Sequence, residues 1–167
     1  MAGLLPLRHS GSTDSQPLVH PCALPLYGIN DHSLDAKNRL TVPAKSRADL
    51  TNAVTLTMAI GGYLELWPAA EYEAIARQAL QGMNPMTPKA KQLKRHFYGN
   101  AVTMELDGAG RVMLPQAFAD HAQIKKDVKV IGAGDYLELW DGDVYEQQNA
   151  DLMGTAGELL ESLGDPS

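Results

Sequence analysis

Two stretches of the chain alternate apolar and polar residues closely enough that each predicts a strand, and they are the same stretch. Tyr63-Leu64-Glu65-Leu66-Trp67 returns 73 residues later as Tyr136-Leu137-Glu138-Leu139-Trp140. A period of two puts Leu64 and Leu66 on one face and Tyr63, Glu65 and Trp67 on the other. Just upstream, residues 53–58 and 127–131 are rich in β-branched positions, and Gly61-Gly62 and Gly132-Ala133-Gly134 supply the intervening turns. Each pair therefore predicts a hairpin. Both tryptophans of the chain lie in the repeated pentapeptide, which marks an internal repeat and governs how the remainder is read.

The repeat reaches further upstream. Leu34-Asp35-Ala36-Lys37-Asn38-Arg39-Leu40-Thr41-Val42-Pro43 is echoed 72 residues later by Leu106-Asp107-Gly108-Ala109-Gly110-Arg111-Val112-Met113-Leu114-Pro115. Leu, Asp, Arg and Pro hold matched places. Asp35 to Arg39 reads as a hairpin tip, with Asn38 and Gly110 at the position where a tight turn or bulge requires positive φ. A short apolar strand follows each tip. Pro43 and Pro115 are then expected at the first position of helices over 43–50 and 115–120, where a missing N–H costs nothing. A single unit is too small to close a core, so two units with intertwined hairpins are expected.

Between and after the repeats the period lengthens to that of a helix. Tyr72, Ile75, Ala76, Ala79 and Leu80 predict an amphipathic helix after Trp67-Pro68. Thr87-Pro88 supplies a cap and a helix start for a second helix with an Ala90, Leu93, Phe97 stripe and a cationic remainder of Lys89, Lys91, Lys94 and Arg95. A weaker helix is expected from Val144, and Glu158-Leu159-Leu160-Glu161 reads as one further acidic turn at most. The segments are therefore a disordered extension over 1–25, repeat one over 26–81, a linker helix within 82–100, repeat two over 101–150 and an acidic tail over 151–167.

Composition narrows the class. A chain of 167 residues, 44% apolar and 20% charged, fits one compact domain or two small fused ones. The lone Cys22 leaves no intramolecular disulfide or multi-cysteine zinc site and suits a reducing cytoplasm. No apolar run approaches the roughly 20 residues of a membrane span. A net charge of −6 argues against nucleic acid until it is divided along the chain. Residues 31–134 carry thirteen bases against ten acids, whereas residues 135–167 carry nine acids and no base. Since charge is felt over only about 8 Å at physiological salt, a basic tip is compatible with an acidic tail.

The tips are the leading candidates for function. A two-stranded ribbon fits the major groove of double-stranded DNA, and an arginine can grip guanine O6 and N7 together, so Lys37 and Arg39 are candidate DNA contacts and Arg111 is their partial counterpart. The competing account is structural: Arg39 pairs with Asp35, and Arg111 with Asp107, only to staple each turn. On either account Asp35, Asn38, Asp107 and Gly110 shape the turns. Lys45 and Arg47, just after the first tip, are candidate phosphate contacts or simply a solvated face. The α-helical cations over 89–95 could touch a DNA backbone, but are expected rather to meet the acidic C-terminal third of a neighbouring copy.

The paired Asp-x-x-x-Arg tips, each followed by a short strand and Pro, resemble the MraZ family of bacterial transcription regulators over roughly residues 26–150. The resemblance implies an α+β fold of two tandem AbrB-like swapped-hairpin β units forming one pseudo-two-fold barrel with flanking helices. It also implies a nucleoid-associated repressor of the division and cell-wall gene cluster containing its own gene. Such a protein would bind tandem direct repeats of double-stranded DNA as a ring-shaped homo-oligomer, without a cofactor. Asn38 departs from the usual Gly, and Ala109 stands where the first copy has Lys37, so the second tip is less basic.

Other chemistry has weaker support. Glu65 and Glu138 are paired carboxylates, as acid–base catalysis needs, but each sits between apolar neighbours with no His, Lys or Ser repeated beside it, and the chain is not expected to be an enzyme. The five histidines lack metal-ligand spacing. The main rival to a DNA-binding regulator is a protein-interaction or scaffold oligomer, an antitoxin-like partner using the same β core.

Overall fold

The computed structural model describes residues 25–50 and 53–163; the expected extension over 1–25 lies outside them except for Pro25. The strands are β1 (Ile29–Ser33), β2 (Arg39–Thr41), β3 (Val54–Met58), β4 (Leu64–Pro68), β5 (Ala101–Met104), β6 (Arg111–Met113), β7 (Asp127–Gly132) and β8 (Leu137–Asp141). The helices are α1 (Ala69–Leu80), α2 (Pro88–Gly99), α3 (Gln116–His121) and α4 (Gly142–Leu163). None of them is long and apolar enough to cross a membrane. The fold is α+β with antiparallel pairing throughout.

Strand order shows how the two copies share one sheet. The large sheet runs β1-β7-β8-β4-β3-β5, while β2 and β6 form a separate ribbon. Thus β1 of the first copy pairs with β7 of the second, and β5 of the second with β3 of the first. At the centre β4 meets β8 with Glu65 opposite Glu138. The sheet keeps two edges, β1 and β5, and does not close into the expected barrel. The reason lies in the tips: β2 and β6 are three residues long and form their ladder with each other, so among the described residues no strand bridges the two edges.

Alternation places the core as the sequence predicts. Leu64, Leu66, Leu137 and Leu139 are buried with Leu56, Val128 and Val130, and Leu40, Val42, Val112 and Leu114 of the ribbon join the same cluster. Each such side chain contributes about 1.5–3 kcal/mol by leaving water. On the opposite face Tyr63 stacks on Trp140 and Trp67 on Tyr136, with ring centroids 4.3 and 4.2 Å apart.

Three elements differ from expectation at their ends. Pro43 and Pro115 are N-caps with extended ψ of 133° and 145°, one position before the helix. After Pro43 only a 3-10 turn forms, Ala44–Ser46, because Arg47 Nε turns back to donate to the Val42 carbonyl at 2.9 Å. The C-terminal helix runs unbroken from Gly142 through Gly154 to Leu163, where a helix followed by an acidic tail is expected. Its start is held by Asp141 Oδ1, which accepts from the N–H groups of Asp143 and Val144 as a capping aspartate does.

Candidate nucleic-acid interface

Each tip is built by one aspartate. Asp35 Oδ1 accepts from the backbone N–H of Lys37 at 2.8 Å and of Arg39 at 3.0 Å, while Oδ2 accepts from Arg39 Nε at 2.7 Å. The Asn38 N–H closes the turn on the Asp35 carbonyl, and Asn38 takes φ 55°. This is a β-turn followed by a left-handed residue, the usual three-residue hairpin with a bulge. The second tip repeats it: Asp107 Oδ1 accepts from Ala109 and Arg111 N–H, Oδ2 from Arg111 Nε at 2.7 Å, and Gly110 takes φ 73°.

The electrostatics follow from these bonds. Partial desolvation works to raise the Asp35 carboxyl, but the hydrogen bonds from Arg39 and Lys37 outweigh it and hold the group below the usual carboxylate range. Asp107 is held down in the same way, by Arg111 and Ala109. Both are therefore anions at neutral pH, and each fixes its arginine through Nε. Neither the terminal nitrogens of Arg39 nor the Lys37 ammonium has a hydrogen-bond partner among the described residues. The Arg39 side chain is 27% exposed, neither sealed in nor fully solvated.

The ribbon sets the two tips side by side. Arg39 pairs in register with Met113 and Thr41 with Arg111, and Arg111 Nη1 lies 3.8 Å from Asp35 Oδ2. Each tip also leans on the other copy. Arg47, from the first, packs its guanidinium where a Cβ at position 110 would project, which explains glycine in the second tip. Asn38 Nδ2 donates to Gln116 Oε1 at 3.3 Å at the start of α3, a contact with no signal in the sequence. Lys37, Arg39, Arg111 and Arg47 are thus brought together. Lys45 is exposed but faces away, towards the Gly28 turn.

Two motifs in this arrangement, the tip and the aromatic strand, recur in each half, and the chain can be compared with known proteins on that basis. A family model described as "MraZ protein, putative antitoxin-like" matches residues 26–96 and again 97–156. The chain belongs to the MraZ family. A relative in Mycoplasmoides gallisepticum named Transcriptional regulator MraZ is 36% identical over 138 residues, 83% of this chain and 96% of the relative. MraZ proteins of the same name from Marinomonas sp. and Chromobacterium violaceum are 34% and 33% identical, over 81% and 83% of this chain and 91% and 96% of theirs.

The paired glutamates are arranged as structural groups in this MraZ chain. Trp67 Nε1 donates to Glu65 at 2.9 Å and Trp140 Nε1 to Glu138 at 2.8 Å. Burial and the two carboxylates push the Tyr136 phenol up to about 12 and raise Tyr63 as well. Glu138 lines a groove of about 710 Å³ between α4 and the sheet, and Glu65 a hollow of about 220 Å³. Among the described residues no Lys, His, Ser or Cys lines the groove of Glu138, whereas His96 lines the hollow of Glu65.

Proposed function

We propose that the chain is a sequence-specific DNA-binding transcriptional regulator that presents its ribbon tips to the major groove of double-stranded DNA. The observation that carries this reading is the matched clamp at both tips. An aspartate holds each arginine by Nε, which leaves the two terminal nitrogens of Arg39 as a preformed fork for guanine O6 and N7, while Arg111 Nη1 also lies 3.8 Å from Asp35 Oδ2. Pinning the side chain beforehand lowers the entropy lost on binding. The Asp–Arg staple and the DNA contact are then one device and no longer rivals. Lys37 adds a phosphate contact beside the first tip, Arg47 supports the second, and Lys45 reaches backbone only at the periphery.

Family membership, and the name the relatives carry, support a transcriptional regulator, which in this reading is a repressor of the division and cell-wall gene cluster that includes its own gene, acting at the nucleoid in the cytoplasm. In this reading each copy is an AbrB-like swapped-hairpin unit, a division that the crossed pairing of β1 with β7 and β5 with β3 favours. The chains assemble into a ring on tandem direct repeats, since direct repeats call for head-to-tail contacts, which can close on themselves. Affinity then multiplies through several tips on one duplex. The rival, an antitoxin-like protein partner, is favoured only by the family description.

Gel-shift titration of Arg39→Ala on DNA from upstream of its own gene tests the proposal. Loss of ~1–3 kcal/mol of discrimination per engaged tip is expected, with folding and oligomer mass retained. Wild-type binding by that variant would overturn it.

A further inference from the structure

The internal repeat supplies its own template for what is missing. In the first copy, α1 and α2 lie together over the aromatic face: Tyr72 OH donates to the Phe97 carbonyl at 2.8 Å, its ring meets Phe97 edge-on at 6.4 Å, and Ala90 is buried. Tyr72 also meets Trp67 edge-on at 6.1 Å. In the second copy α4 takes the place of α1, and Tyr145 meets Trp140 in the same manner at 6.0 Å. Among the described residues no second helix packs on α4. Tyr145 stays half-buried, its hydroxyl has no partner among the described residues, and beside it those residues leave a groove of about 710 Å³.

We propose that this groove receives the outer face of α2 from a second copy of the chain. Lys91, Lys94 and Arg95 fall at i, i+3 and i+4, so they form one stripe on the side of α2 away from Leu93 and Phe97. All three are exposed, and none is ion-paired among the described residues. The groove is complementary: Ile131, Trp140, Tyr145 and Leu152 make it largely apolar, Glu138 and Asp151 are acidic, and no base lines it. Lys and Arg stems cover apolar surface while their charged heads reach the carboxylates, and a guanidinium over Tyr145 gains a cation–π contact.

The occupant cannot be the chain's own α2. That helix is fixed on α1 and precedes β5, at the far edge of the sheet, with β3 and β4 between it and β8. Each copy therefore offers one stripe and one groove at separate places, which makes the contact heterologous and able to propagate around a ring. This inference rests on the oligomeric part of the reading above and is independent of whether the tips bind DNA.

The test uses two full-length variants at exposed positions, Lys94→Glu with Arg95→Glu on the stripe, and Leu152→Asp in the groove, with mass measured by light scattering in the absence of DNA. Wild type is expected at a multiple of the 18.0 kDa chain and each variant at the single-chain mass. An equimolar mixture of the variants should give a complex of two chains and no larger, because only one intact stripe and one intact groove remain. Wild type at single-chain mass, variants that keep the wild-type mass, or a mixture with no complex would each overturn the proposal. Failure of the DNA reading would appear separately, as wild-type DNA binding by Arg39→Ala with the oligomer mass unchanged.

Discussion

At the scale of single residues, the two tips show how one geometry tolerates different side chains. Asn38 and Gly110 both adopt positive φ, but only at 110 does a neighbour, Arg47, occupy the space a Cβ would need. Gly110→Ala should therefore lower stability by about 1–2 kcal/mol from the left-handed backbone alone, before the displacement of Arg47 is added. Asn38→Gly should change stability by no more than about 0.5 kcal/mol. Paired urea denaturation curves would decide, and equal losses at the two sites would refute the asymmetry. The carboxylates give a pH dependence with a definite sign. Asp35 and Asp107 are depressed on folding, so their contribution is complete above the ordinary carboxylate value near 3.9. It is lost as pH falls through the lower folded values. Acid titration followed by NMR should show the Arg39 and Arg111 Nε–H signals protected at neutral pH and released only below about pH 4. Asp35→Asn should release the Arg39 signal at every pH. The tip was legible in the sequence because Asp, the positive-φ residue and Arg recur at fixed spacing. Arg47 against Gly110 and Asn38 against Gln116 were not, since both contacts join one copy to the other across more than 60 residues, and residue spacing along a chain carries no record of them.

At the scale of elements, strands were read well and helix ends poorly, and the causes differ. Alternation in 63–67 and 136–140 reports burial on one face directly, and Leu64, Leu66, Leu137 and Leu139 are buried. The cap at Thr87 is equally local: its hydroxyl accepts from the Ala90 N–H at 3.2 Å, and Thr87→Ala should cost about 1 kcal/mol. The helix expected over 43–50 shortens to a 3-10 turn because a side chain, Arg47, takes the Val42 carbonyl just before it. In α4 the misleading signal was Gly154, a residue that usually ends helices but here sits in the interior of one. Gly154→Ala should stabilise α4 by about 1 kcal/mol, seen as slower hydrogen exchange of the amides over 150–160. Unchanged exchange would mean that the second half of α4 is not helical in solution.

At the scale of the whole molecule, the crossed pairing makes a claim about cooperativity. The sequence shows two copies and so suggests two modules, each matched separately by the family model. The strand order says otherwise, because among the described residues β1 has its only ladder with β7, β2 with β6, and the central pair is β4 with β8. A fragment of residues 26–96 would keep β3 paired to β4, yet would lose Phe97 from the contact of α2 with α1, lose the partners of β1 and β2, and expose Leu40, Leu64 and Leu66, which are fully buried in the whole chain. Such a fragment should not fold alone. By the same reasoning Leu66→Ala in one copy and Leu139→Ala in the other act on one core, and each should cost about 2–5 kcal/mol within a single transition. Thermal unfolding followed by tryptophan fluorescence and by far-UV circular dichroism should then coincide, since Trp67 and Trp140 lie in different copies but stack across the same β4–β8 seam. Two resolved transitions, or a folded 26–96 fragment, would mean that the copies are independent modules. The tips would then be set by their own hairpins, and the side-by-side placement of Arg39 and Arg111 would no longer be imposed by the fold.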